Sequence, residues 1–220
     1  MQPIMQLSGP SQKPASGGPA KQLVVLLHGL GADGNDLIGL APVLSQVLPD
    51  AAFVSPNAPF PCDMAPFGYQ WFSVQDRTPA VMLAGVRMAA SILDPFLDEQ
   101  LEAHGLTPDR MALIGFSQGT MMSLHVGLRR PEPVAGILGY SGRLIAPELL
   151  PDEIRSRPPV QLVHGQADEM VPFESMALAA EALREAGVEV ETHACPGLGH
   201  GIDQDGLMVG ARFLRRIFPG

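Results

Sequence analysis

Short, wholly apolar runs alternate with longer amphipathic ones along most of this chain. Residues 23–27, 52–55, 110–114, 134–139, 160–163 and 188–193 are too short for core helices and read as strands. The runs at 23–27 and 110–114 lack polar alternation, as expected of strands covered on both faces. Between them, residues 36–47, 78–104, 120–128, 172–186 and 203–217 read as helices. Leu207, Ala211 and Leu214 share one face of the last. Thr78-Pro79 supplies cap and first-turn chemistry for the longest, and Pro95 should kink or restart it. The alternation predicts an α/β fold, a mostly parallel sheet with helices on both faces, in one domain over residues 22–220. Residues 1–21 form a Pro/Gly-rich lead with a short edge strand expected near residues 4–7. Residues 56–75 break the alternation with an irregular segment rich in proline and aromatic residues, and ordered loops of that length are usually functional.

The most informative local pattern is Gly115-Phe116-Ser117-Gln118-Gly119, a G-x-S-x-G pentapeptide between an expected strand and an expected helix. In that context the serine occupies a tight strand-to-helix turn that lifts its hydroxyl above the sheet, next to a helix N-terminus. A serine hydroxyl needs a base to take its proton, and the base needs an acid to fix its tautomer. Enzymes built on such an elbow carry these in the order serine, acid, histidine. Asp168, after the strand at 160–163, and His200, set between Gly199 and Gly201 after the next strand, meet that order. The other histidines read as structural or solvated: His104 at a helix end, His125 on a helix, His193 in a strand, and His164 bonding backbone. Glu169 points elsewhere, and Asp203 and Asp205 cap the last helix. The backbone N–H groups of Gln118 and of Leu30, in the glycine-rich loop after residues 23–27, are the expected oxyanion donors. That loop has neither dinucleotide-binding nor P-loop spacing, which argues against phosphate binding there.

At this point the sequence resembles the phospholipase/carboxylesterase family of α/β-hydrolases, which includes acyl-protein thioesterases. The motifs that carry the resemblance are LHGLGADGND (27–36), GFSQGT (115–120), HGQADEMVP (164–172) and GHGI (199–202). The resemblance implies a small hydrolase with little or no cap domain, no cofactor and an open acyl groove. Position by position it matches Ser117 to the nucleophile, Asp168 to the acid, His200 to the base, and Leu30 and Gln118 to the oxyanion donors. Members acting on lipidated proteins carry an aspartate after their Trp-Phe pair, whereas Ser73 follows Trp71-Phe72 here. Residues 60–70 look more like the bacterial carboxylesterase branch.

Three readings stay open: a serine esterase or thioesterase on small to medium acyl esters, a lysophospholipase or acyl-protein thioesterase on lipid-like substrates, and a non-catalytic binding protein on the same fold. The acyl groove is expected on the irregular segment, from Phe60, Met64, Phe67, Trp71 and Phe72. The formal charge of −9 argues against nucleic acid and anionic membranes as partners. The apolar strand runs are too short to span a bilayer, so stable membrane insertion is not expected. Cys62 and Cys195 make neither a disulfide framework nor a metal site, and no metal or cofactor is expected. A small-molecule ester is the expected partner, a homodimer is admitted, and the cytoplasm is the simplest location.

Overall fold

The computed structural model describes residues 6–219. In chain order its elements are β1 (Ser11–Gln12), β2 (Gln22–Leu27), α1 (Gly34–Ile38), α2 (Ala41–Leu44), β3 (Ala51–Val54), β4 (Phe60–Pro61), β5 (Tyr69–Gln70) and α3 (Pro79–His104). Then follow β6 (Met111–Phe116), α4 (Gln118–Gly127), β7 (Gly136–Tyr140), α5 (Leu150–Glu153), β8 (Val160–Gly165), α6 (Glu174–Glu185), β9 (Val190–Cys195) and α7 (Gln204–Ile217). The main sheet runs β1-β3-β2-β6-β7-β8-β9 and is parallel except for β1, which pairs antiparallel with β3. This is the α/β-hydrolase architecture.

The unbroken apolar strands are explained by what covers them. Leu23, Val25 and Leu27 of β2 and Met111 and Leu113 of β6 pack with residues of α3, α4 and α6. The alternate residues Val24, Leu26, Ala112 and Ile114 pack with α1, α2 and α7. β2 and β6 therefore bury both faces, whereas the edge strand β9 keeps Glu191 and Thr192 exposed.

Several expectations change. Part of the expected edge strand near residues 4–7 lies outside the described residues; the observed edge strand is Ser11–Gln12, so the lead contributes to the sheet. The helix expected over 36–47 is two short ones. Pro42 has no N–H to offer the carbonyl of Ile38, and the first helix closes at Gly39. Conversely, α3 runs unbroken through Pro95. Both Pro95 and Ser91, whose carbonyl loses its partner, are exposed, so the missing bond is open to solvent and costs little. Thr78 makes no side-chain cap; Pro79 opens the helix and Asp76 Oδ1 accepts the N–H of Thr78 at 2.8 Å. The irregular segment contains a two-stranded hairpin, β4–β5. Helix α3 is, by length and composition, apolar enough to cross a membrane, a run missed by considering strands alone. Its stripe of Met82, Val86, Ala89, Leu93, Phe96, Leu97 and Leu101 is buried in the core. Arg129 pairs with Glu153, and the buried Arg130 pairs with Asp94 and Asp98 of α3.

His125 of α4 is buried, and its Nδ1 has no hydrogen-bond partner among the described residues. Burial, reinforced by Arg129, pushes its pKa down to about 4. The unfolded chain, with an ordinary imidazole, therefore binds a proton between about pH 6.5 and 4 that the folded protein refuses. Stability should fall across that window by about 3 kcal/mol at most. In His125→Leu the fall should be visibly shallower, as read from urea midpoints at a series of pH values.

Candidate active site

The strand-to-helix turn after β6 places Ser117 at φ 55°, ψ −113°, outside the regions a side-chain-bearing residue prefers. Holding it there costs on the order of 1–3 kcal/mol, supplied by the surroundings. Ser117 N–H donates to the Tyr140 carbonyl at 2.9 Å, and Thr120 Oγ1 lies 2.8 Å from the carbonyl oxygens of both Gly115 and Tyr140, its one proton shared between them. The flanking glycines are sterically required. A Cβ on Gly115 would lie 2.3 Å from the Gly119 carbonyl carbon, and one on Gly119 only 1.8 Å from the Leu27 carbonyl oxygen. Glycine at 115 and 119 is thus what lets β2, β6 and α4 meet this closely.

Asp168 and His200 come from the loops after β8 and β9. His200 Nδ1 lies 2.8 Å from Asp168 Oδ2. Asp168 is buried, and its Oδ1 accepts the backbone N–H groups of Met170 and Val171 at 2.9 Å each. Burial alone would raise the carboxyl's pKa; the bonds from His200, Val171 and Met170 outweigh it, and the pKa is lowered. With Nδ1 held by the carboxylate, Nε2 is the ring nitrogen left to act. His200 stacks at a tilt on Phe116, ring centroids 4.8 Å apart. His164 Nε2 donates to the Val171 carbonyl at 2.9 Å and lies 3.2 Å from Asp168 Oδ2, so this histidine buttresses the acid. Glu169 is exposed. Asp203 caps α7 by accepting the Gly206 N–H, whereas Asp205 pairs with His193.

Ser117, His200, Gln118, Leu30 and Gly29 line one cavity of about 450 Å³, a volume suited to a small ligand. No hydrogen bond joins Ser117 to His200, although they share the cavity; such bonds often close only around substrate. Gln118 is the first residue of α4, so its N–H has no intrahelical acceptor. Leu30 follows β2 in a loop pressed against the elbow. A Cβ on Gly29 would lie 3.4 Å from that of Ser117.

The five residues expected to form the acyl groove do not line this cavity. Met64 and Phe67 sit between the hairpin strands, 57% and 74% exposed, and Phe60 is half-buried in β4. Trp71 and Phe72 are buried in the core beneath, with the Trp71 indole N–H donating to the His28 carbonyl at 3.0 Å. The cavity is walled instead by Val74, Met82, Met121, Met170, Val171 and Pro172. The physical reason is the hairpin: β4–β5 leaves Met64 and Phe67 at its tip exposed and uses its stem as a clasp. Gly31 N–H donates to the Tyr69 carbonyl and Tyr69 N–H to the Ala32 carbonyl, both at 2.8 Å.

Two supporting residues escaped the sequence reading. The buried side chain of Gln118 accepts the Trp71 N–H at 2.8 Å and donates to the Phe72 carbonyl at 2.7 Å, tying the irregular segment to the elbow. His28, buried, donates from Nδ1 to the Gly29 carbonyl and accepts the Ala58 N–H at Nε2. Burial lowers its pKa, consistent with a neutral ring that needs both roles. A histidine placed directly before a glycine-rich loop was the only signal for it.

His193, Cys195 and Asp205 could present metal-ligand atoms within 4.8 Å of one another, but none of them lines the cavity. The His193–Asp205 pair satisfies itself at 2.7 Å. Burial and the carboxylates of Asp203 and Asp205 push the Cys195 thiol up to about 11, unfavourable for the thiolate a metal would need.

Residues 14–218 match the phospholipase/carboxylesterase family. The chain belongs to this family. It is thereby a hydrolase of ester bonds, and its family takes small-molecule esters as substrates. Among its relatives, an esterase of Escherichia coli, YpfH, is 30% identical over 204 residues, covering 91% of this chain and 85% of the relative. An acyl-protein thioesterase 1 of Aspergillus fumigatus is 30% identical over 216 residues, covering 89% and 88%. The crystal structure of esterase PE8 superimposes with a TM-score of 0.93 at 46% identity, covering 97% of this chain and all of that one.

Proposed function

We propose that the chain cleaves carboxylic esters and thioesters of small to medium acyl chains through an acyl-enzyme on Ser117. The observation that carries the reading is the Asp168–His200 pair, 2.8 Å apart, opening onto the same cavity as a serine held in an elbow. Ser117 Oγ attacks the carbonyl carbon while its proton passes to His200 Nε2. The carbonyl oxygen takes the electron pair and is met by the N–H groups of Leu30 and Gln118. Collapse expels the alcohol or thiol, which takes the proton from His200. Water then repeats the sequence on the acyl-enzyme, releasing the acid and restoring Ser117. Asp168 stays ionised throughout and holds the imidazolium. Its lowered pKa fits that role.

The setting that fits is the cytoplasm, where Cys62 and Cys195 stay as thiols. Self-association as a homodimer is open to sedimentation velocity. A second reading, action on longer thioesters, is favoured by the acyl-protein thioesterases among the relatives. A panel of 4-nitrophenyl esters of increasing chain length, run beside an acyl thioester and a lysophospholipid, separates the readings. Hydrolysis of none of them would overturn both.

The same panel locates the acyl wall. Met121→Ala enlarges the cavity, so the chain-length optimum should move to longer esters, by about fourfold in kcat/KM for each methylene newly buried. Met64→Ala and Phe67→Ala, at the hairpin tip, should leave the profile superimposable on the unmodified protein's. A shift in the tip variants and none in Met121→Ala would restore the hairpin as the groove.

A further inference from the structure

The cavity at Ser117 is walled mainly by apolar side chains, yet two guanidinium groups, Arg143 and Arg77, also face it. In a chain of net charge −9 with only 14 lysines and arginines, this is a local inversion of sign beside the candidate nucleophile. Of the other ten arginines, Arg87 and Arg129 pair with Glu153, Arg130 with Asp94 and Asp98, and Arg216 with Glu191, Arg157 and Arg184 bond backbone carbonyls, and Arg110, Arg155, Arg212 and Arg215 are exposed to solvent. Among the described residues, Arg143 has no hydrogen bond and no carboxylate within 4.0 Å, and Arg77 reaches only the Val74 carbonyl at 3.4 Å. Asp36 lines the same cavity without pairing with either.

The position of Arg143 is built. It follows β7 in the turn Tyr140-Ser141-Gly142, wedged between the loops that carry Ser117 and His200. Ser141 sits at φ 48°, its N–H donating to the Val163 carbonyl at 2.9 Å and its hydroxyl to the Gly201 carbonyl at 3.5 Å. Gly142 passes so close to the elbow that a Cβ there would lie 2.9 Å from the Ser117 carbonyl oxygen and 2.3 Å from Thr120 Cβ. Arg143 is thereby delivered half-buried to the cavity, its charge uncompensated. Burial and the neighbouring charge of Arg77 both press its pKa downward, which is the condition an incoming anion relieves.

We propose that Arg143 and Arg77 form an anion-binding subsite that selects esters carrying a carboxylate or phosphate group. The proposal rests on the ester-hydrolase reading above and deepens it to a substrate class. A planar guanidinium recognises both anions through paired N–H donors. Because the protein as a whole repels anions, a preference for them must arise locally.

The test uses two anionic esters, each beside a neutral counterpart: mono-4-nitrophenyl glutarate against 4-nitrophenyl pentanoate, and butyryl glycerol phosphate against monobutyrin. The ratio of kcat/KM, anionic over neutral, is the readout. In the unmodified protein at least one ratio should exceed unity by about tenfold, the scale of one charge-assisted hydrogen bond. Which pair shows it distinguishes carboxylate from phosphate. Raising NaCl from about 0.02 to about 0.5 M should lower the ratio. Arg143→Gln should lower it by about tenfold, Arg143→Lys should retain part of it, and Arg77→Gln, at a more exposed position, should lower it less. Should Arg143→Gln fail to fold, competitive inhibition of pentanoate hydrolysis by free glutarate, weakening with salt, supports the subsite, and salt-independent inhibition or none counts against it. Ratios at or below unity with the neutral esters turned over would overturn the subsite alone. Failure of the neutral esters as well would overturn the ester-hydrolase reading and the subsite together.

Discussion

Ser117→Ala should lower kcat on the order of 10⁶-fold, the scale seen when the nucleophile of a serine triad is removed. The expectation follows from the elbow. The φ of 55° and the bonds to Tyr140 and Thr120 exist to present one hydroxyl, and alanine removes that hydroxyl while keeping a Cβ in the same place. The substitution should therefore be almost silent in thermal stability, which separates a catalytic loss from a folding one. A residual rate on the order of 10³- to 10⁴-fold above water is expected, because the N–H groups of Leu30 and Gln118 remain. A fluorophosphonate should label the unmodified protein once, at Ser117. Retention of labelling and turnover in Ser117→Ala, with modification moved to Ser123 or Ser141, would remove the nucleophile from its place.

The second large effect is expected of Asp168→Asn, on the order of 10⁴-fold in kcat. Oδ1 of Asp168 faces two N–H donors, Met170 and Val171, and so must remain an acceptor. An asparagine there turns its amide nitrogen toward His200 Nδ1, which can then only accept. The ring's proton moves to Nε2, the nitrogen that must take the proton of Ser117. The substitution is nearly isosteric and keeps the Oδ1 bonds, so circular dichroism should be unchanged while burst amplitude and steady-state rate collapse together. The same carboxylate links to acid stability. Its folded pKa lies below the unfolded value, so its contribution is present above about pH 4 and fades as pH falls through the lowered value. Asp168→Asn should lose that part of the acid dependence. A full-rate Asp168→Asn enzyme would assign the acid elsewhere.

The centre of the sheet was legible because β2 and β6 are covered on both faces, so burial wrote itself there as uninterrupted apolar runs. The elbow was legible because steric necessity at Gly115 and Gly119 leaves no other residue type open. Asp168 and His200 followed from chain order and from the loops they occupy. What could not be read was contact between segments distant in sequence. Gln118 was assigned only a backbone role, since nothing near it announces that its amide bridges Trp71 and Phe72, more than forty residues earlier. Met82 and Met121 look like ordinary helix-core residues in the sequence, and only the packing of α3 against α4 brings both to the cavity. The apolar cluster at 60–72 lies off the cavity for the complementary reason. Hydrophobic side chains in a loop signal that something is covered, not which side of the loop covers it. Trp71 and Phe72 face the core, while Met64 and Phe67 face solvent.

The clasp between Gly31 and Tyr69 divides the hairpin into parts of unequal freedom. Its stem shares a bonding network with the loop that carries Leu30, so lengthening the chain there would loosen the site. Its tip, between β4 and β5, has Met64 and Phe67 turned outward. Insertions are absorbed where backbone is exposed and few partners are lost. The tip between Asp63 and Phe67 is therefore the natural place to graft a fluorescent reporter or an affinity peptide, outside the bonds that organise the loop of Leu30.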